Sequence, residues 1–230
     1  MFILIIVVFG IISFAVSSKL KSKFKKYSRM TLAGGMSGRE VAEKMLADNR
    51  LYDVKVVPTR GTLTDHYNPA TKTVALSEEV YHGRSAASAA VAAHECGHAV
   101  QHARAYSFLE FRSAMVPIQN VSAQILNIVL MATFFGGYFL MQTFNLNIIL
   151  LVIISCYFVI TLFSIVTLPV EFDASKRALA WMTENGVTRG QEHDMAKDAL
   201  KWAAMTYVVA AIGSLVMLAY YVLIFLGNRR

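Results

Sequence analysis

The chain has 230 residues, 56% hydrophobic and 16% charged, with only four prolines, a balance that disfavours a soluble globular protein and favours a membrane one. Its net charge of +7 comes without a nucleic-acid-binding motif or an aromatic-interleaved basic surface, so nucleic acid is excluded as a partner and attraction to anionic lipid is the simpler account. The two cysteines, Cys96 and Cys156, lie in dissimilar stretches and exclude a disulfide framework.

The first apolar run, about Phe2 to Ser18, lacks the basic residues that precede the apolar stretch of a signal peptide, so residues 1–18 are read as an uncleaved N-terminal membrane anchor. Lys19, Lys21, Lys23, Lys25, Lys26 and Arg29 follow it at once and hold that flank in the cytoplasm by the positive-inside rule.

Residues 19–116 are the one sizeable water-soluble block, expected to be α+β. Ser37-Gly38-Arg39-Glu40 reads as a capping box that opens an amphipathic helix to about Asn49. Val54-Lys55-Val56-Val57, ended by Pro58, and Thr73-Val74-Ala75-Leu76 are short strand candidates joined through Gly61 and the turn Asn68-Pro69. The breaker-free run Ser85 to Ala93, dominated by alanine, then forces a helix into His94-Glu95-Cys96-Gly97-His98.

Residues 117–168 carry two apolar runs, about Ile118 to Gln142 and Ile148 to Leu168. Residues 169–203 are a helical segment ending at Asn185-Gly186 and restarting at a second capping box, Thr188-Arg189-Gly190-Gln191. Residues 204–230 hold the last apolar run. Of the 22 basic residues, 15 fall between the first and second runs, five between the third and fourth, and two at the tail, Arg229 and Arg230. The turn Gln142 to Asn147 has none, which places both basic segments in the cytoplasm. The expected fold is therefore mainly α, an integral membrane protein of about four transmembrane helices with a small cytoplasmic-side α+β region, zincin-like and catalytic by the H-E-x-x-H motif it carries.

H-E-x-x-H on a helix is a zinc-hydrolase motif. At roughly 100° per residue, His94 and His98 share a face and can meet one metal ion, while Glu95 flanks it and can take a proton from the attacking water. Catalytic zinc takes three protein ligands. The three-histidine extension of the motif is rejected, because Gln101 and Arg104 stand at its last two specified positions. Among the downstream acids, Glu171 is the choice, since two crossings return the chain to the same membrane side. Asp173 points about 200° away from it on a helix, and Glu110 is the alternative.

The strings Gly61 to Pro69, Ala92-Ala93-His94-Glu95-Cys96-Gly97-His98-Ala99 and Leu168-Pro169-Val170-Glu171-Phe172-Asp173-Ala174-Ser175 resemble the YugP-type family of neutral zinc metallopeptidases over nearly the whole chain, and more remotely HtpX-type membrane proteases. The resemblance implies one zinc ion held by His94, His98 and Glu171, with Glu95 as base, in a gluzincin-type endopeptidase. It also implies a peptide or membrane-protein substrate, protein quality control as the setting, and a bacterial-type cell membrane with the active site facing the cytoplasm. One departure stands out: the HtpX-type pattern has an acid four residues after the ligand glutamate, where this chain has Ser175, a weaker partner for a ligand histidine. Asp173 or a backbone carbonyl is the substitute expected.

Oxyanion-donor candidates are His66, Tyr67, His193 and Tyr207. Candidate edges for binding substrate by strand addition are Thr73, Val74, Ala75 and Leu76, and the stretch Leu63 to Tyr67. His82 and His102 are read as structural or exposed, Cys96 as a packing residue, and Arg177 as a partner of Asp173 or of lipid headgroups. The competing function is a non-proteolytic zinc-binding membrane scaffold that binds a partner protein.

Overall fold

The computed structural model describes residues 2–143 and 145–228, and only the backbone over 138–143. Arg229 and Arg230 lie outside the described residues, as does Phe144 of the expected turn. The elements in chain order are α1 (Phe2–Tyr27), α2 (Gly38–Asp48), β1 (Lys55–Thr59), β2 (His66–Asn68), β3 (Thr73–Ser77), α3 (Glu78–His82), α4 (Ala86–Ala103), α5 (Ser107–Thr143), α6 (Leu146–Glu184) and α7 (Gln191–Gly227). α1, α5, α6 and α7 are long and apolar enough to cross a membrane.

Two compact units emerge. The first comprises Met1–Ser13, Phe111–Leu168 and Tyr207–Arg230. Its core gathers Leu126, Leu150, Ile153, Cys156, Met217 and Tyr221. Its outer surface exposes Ile3, Ile118, Phe134, Ile148 and Leu223, as expected of helices solvated by lipid.

The second unit comprises Phe14–Glu110 and Pro169–Thr206. α4 is its central helix. Ser85 caps it, accepting from Ser88 N at 3.1 Å. Ala86, Ala87, Ala89, Ala90, Ala92 and Ala93 are all fully buried, so the helix is enclosed on every side by neighbours that its short side chains allow to approach. α2 packs on it through Val41, Ala42 and Met45, and Cys96 Sγ reaches Ala42 O at 3.6 Å. The expected capping box opens α2: Glu40 N donates to Ser37 Oγ at 3.2 Å and Ser37 N to Glu40 Oε2 at 2.7 Å.

The sheet has the order β1-β3-β2, with β1 and β3 parallel and β2 antiparallel to β3. Two expectations are corrected. β1 does not stop at Pro58 but runs through it to Thr59, which an edge strand permits because a missing N–H can face away from the ladder. β2 is a third strand, overlapping the candidate edge stretch Leu63 to Tyr67 at His66 and Tyr67, where only two strands were expected to pair. Both edges of β3 are thereby paired, and all its residues but the half-buried Thr73 are buried, so Thr73, Val74, Ala75 and Leu76 offer no free edge.

α6 continues from the apolar run through Pro169 to Glu184, and Gly186 (φ +64°) ends it as the sequence predicts. The second capping box does not form. The Thr188 hydroxyl is buried without a hydrogen bond, and Glu192, one residue later than expected, reaches back to accept from Arg189 N at 3.3 Å. The same carboxylate also accepts from Ala33 N at 2.7 Å, tying the start of α7 to the segment after α1.

Candidate metal centre

His94, His98 and Gln101 fall at i, i+4 and i+7 along α4, one stripe of the helix. Facing them on α6 are Glu171 and Ser175, again four apart. Close approach of the two helices is possible because the residue before His98 is glycine: a Cβ on Gly97 would lie 2.7 Å from Ala174 O. Glu171 Oε2 sits 3.3 Å from His94 Nε2 and 3.7 Å from His98 Nε2, and the donor atoms of all three lie within 4.8 Å of one another. A tetrahedral zinc ion at about 2.0–2.2 Å from each donor separates them by roughly 3.3–3.5 Å, so the set fits the metal.

The remaining ring nitrogens are engaged from behind. His98 Nδ1 donates to Gln101 Oε1 at 3.0 Å, while Gln101 Nε2 donates to Val170 O and Asp173 Oδ2, both at 2.8 Å. Because the amide's two N–H groups meet two acceptors, its oxygen must face the imidazole, which places the proton on Nδ1 and leaves the Nε2 lone pair towards Glu171. Ser175 Oγ lies 3.1 Å from His94 Nδ1, the partner the same arrangement needs there. Arg177 Nε holds Asp173 Oδ2 at 2.5 Å. Lone pairs thus converge on a carboxylate that is 3% exposed, an arrangement that repels itself unless protons or a cation lie among them.

Electrostatics match that picture. Burial disfavours the charged imidazolium of His98, but the hydrogen bond to Glu171, the charges of Glu95 and Glu171, and Gln101 together outweigh it and hold His98 above its ordinary value. Glu95 is 9% exposed, and its carboxylate is engaged in no hydrogen bond or ion pair among the described residues. Burial pushes the Cys96 thiol far up, so it stays a neutral packing group.

Gln101 is the residue the sequence reading missed. It appeared there only as a mismatch to the three-histidine pattern, although its place three residues after His98 on the ligand stripe was the available signal. Ser175 does reach one histidine of the cluster, and Asp173 reaches the other through Gln101 without touching the cluster. Glu110, the alternative third ligand, is exposed and outside it.

The oxyanion candidates have other partners. His66 Nδ1 donates to Thr64 O at 2.8 Å, Tyr67 Oη pairs with His102 Nδ1 at 2.9 Å, and His193 Nδ1 pairs with Thr183 Oγ1 at 3.1 Å. Tyr207 belongs to the other compact unit. His82 is exposed, 3.3 Å from Glu78.

Residues 1–226 match the family described as "Putative neutral zinc metallopeptidase". The "Putative membrane protease YugP" of Bacillus subtilis (strain 168) is 43% identical over 218 residues, which cover 95% of this chain and 93% of that protein. No solved structure matches the chain. With a ligand set suited to zinc and a family match from end to end, the chain belongs to the neutral zinc metallopeptidases.

Proposed function

We propose that the protein is a membrane-embedded, gluzincin-type zinc endopeptidase in which His94, His98 and Glu171 hold one zinc ion and Glu95 is the general base. The observation that carries this reading is the convergence of two Nε2 lone pairs on Glu171, with both Nδ1 positions engaged by Ser175 and Gln101. Zinc in this position supplies Lewis acidity, polarising the scissile carbonyl and lowering the pKa of the attacking water to about 7. Glu95 takes the proton as the water attacks the carbonyl carbon, then delivers it to the departing amine as the C–N bond breaks. Its freedom from any fixed partner suits a group that must hand a proton on.

The substrate is an extended peptide segment. β2 pairs with β3 on one side only among the described residues, and Tyr67 ties it to His102 at the end of α4, so its outer edge is the place for strand addition beside the motif helix. The six basic residues from Lys19 to Arg29 support a cytoplasmic site, in a catalytic region formed by residues 19–116 and 169–203.

The test is zinc content and cleavage of an unfolded protein by the purified chain. Glu95→Gln is expected to keep one zinc per chain and lose about 10²–10⁴-fold in turnover, whereas Glu171→Ala loses the metal. Full activity in Glu95→Gln, or full zinc and activity in Glu171→Ala, overturns the assignment. A zinc-loaded chain that cleaves nothing across a broad peptide library points instead to a zinc-dependent scaffold.

A further inference from the structure

Within the unit that carries the metal cluster, the stretch of α6 after Pro169 and the stretch of α7 before Tyr207 enclose a groove of about 780 Å³. Phe172, Leu179, Leu200, Ala204 and Met205 give it an apolar lining. Three exposed lysines, Lys176, Lys197 and Lys201, stand along it against one carboxylate, Glu184. None of the three makes an ion pair or hydrogen bond among the described residues. An apolar trough edged by unpaired cations calls for a ligand with a hydrocarbon body and an anionic end.

The lysines also stand at a telling depth. At about 1.5 Å per residue, Lys176 lies roughly 12 Å along the helix from Leu168, where the third apolar run ends. Lys197 and Lys201 lie roughly 10.5 Å and 4.5 Å before Ala204, where the last apolar run begins. The headgroup layer extends about 5–8 Å beyond the hydrocarbon on each side, so Lys201 falls within it, and the long side chains of Lys197 and Lys176 can snorkel back towards it.

We infer that the groove is a binding site for one anionic phospholipid, its phosphate among Lys176, Lys197 and Lys201 and an acyl chain against Phe172, Ala204 and Met205. The volume falls within the roughly 300–1,000 Å³ typical of small-ligand sites. A peptide is a poorer occupant, because the walls are two helices whose backbone groups are already hydrogen-bonded and leave little for a peptide backbone to pair with. A second copy docking by two-fold symmetry would bring lysines against lysines. Ser175 lines the groove and touches His94 Nδ1 at 3.1 Å, so an occupant lies one side chain away from a candidate zinc ligand.

The site is tested on the full-length, zinc-free chain in detergent by native mass spectrometry, with phosphatidylglycerol and phosphatidylcholine as probes. One phosphatidylglycerol per chain is expected, bound at least about tenfold tighter than phosphatidylcholine, and weakened about 100-fold when all three lysines become glutamine. Ala204→Trp, which fills the groove and keeps every charge, is expected to expel the lipid while circular dichroism remains unchanged. Equal retention of the two lipids, or phosphatidylglycerol binding that survives both variants, overturns the inference. Displacement of the lipid by glycerol phosphate alone overturns it in favour of a simple phosphate site, displacement by an unfolded polypeptide in favour of a peptide groove, and lipid-sensitive dimerisation through this face in favour of a second copy.

Discussion

Gly97 on α4 lies against the backbone of Ala174 on α6: a methyl group at Gly97 would sit 2.7 Å from the Ala174 carbonyl oxygen and 3.1 Å from its Cα. A backbone cannot rotate away as a side chain can, so relief requires the helices to separate. That separation would move His98 and Glu171, which flank the contact. Alanine gains about 1 kcal/mol in helix propensity over glycine, whereas overpacking costs about 1–3 kcal/mol. Gly97→Ala is therefore expected to lower stability by about 1 kcal/mol and weaken zinc binding at least tenfold. Thermal melts and chelator competition measure the two effects, and an unchanged zinc affinity would show that the close approach does not set the ligand geometry.

Gln101 supports His98 and is held in turn by Val170 O and Asp173. Gln101→Met keeps most of the volume and removes these hydrogen bonds. Zinc affinity should fall about 10- to 100-fold, the usual effect of losing a partner behind a ligand histidine. Competition with a fluorescent chelator reads this directly, and wild-type affinity in Gln101→Met would reduce Gln101 to a packing residue.

Ser175 gives His94 a neutral partner where an acid would give a charged one. Ser175→Asp should strengthen the hydrogen bond to Nδ1, raise the basicity of Nε2 and tighten zinc binding, while Ser175→Ala should loosen it. If both substitutions weaken binding equally, the serine matters for its size alone.

Because His98 is held above its ordinary value of 6.5 in the zinc-free chain, its proton stabilises that state fully below about pH 6.5, and the contribution is lost as pH rises through the higher native value. Zinc binds the neutral imidazole. As pH rises from about 6.5 the zinc-free chain should lose this increment of stability while the Tm gain on adding zinc grows. Melts in chelator and in zinc across that range test the sign. A zinc-induced shift that is flat or shrinks with rising pH contradicts it.

Local signals survived the passage from sequence to structure best. The Ser37–Glu40 capping box, the alanine-driven helix through His94 and the stop at Gly186 each depend on residues a few positions apart, and each formed as read. Glu171 was reachable by counting crossings and is in the cluster. What failed depends on contacts between distant segments. Among the described residues β2 pairs only with β3, the carboxylate at the start of α7 is Glu192, which also meets Ala33, and Gln101 acquires its role only when Val170 and Asp173 arrive beside it. A lone sequence presents none of those neighbours.

The partners that close the cluster are far apart in order of synthesis: Ser175 and His94 are separated by 81 positions, with the apolar lengths of α5 and α6 between them. A ribosome releases the two histidines first and the glutamate only after both apolar lengths have been made. Until then the nascent chain carries two of the three donors, and the third is missing from any metal it meets. Assembly of the cluster thus waits on synthesis of both apolar lengths, and a nascent chain that stops short of them cannot bring the three donors together.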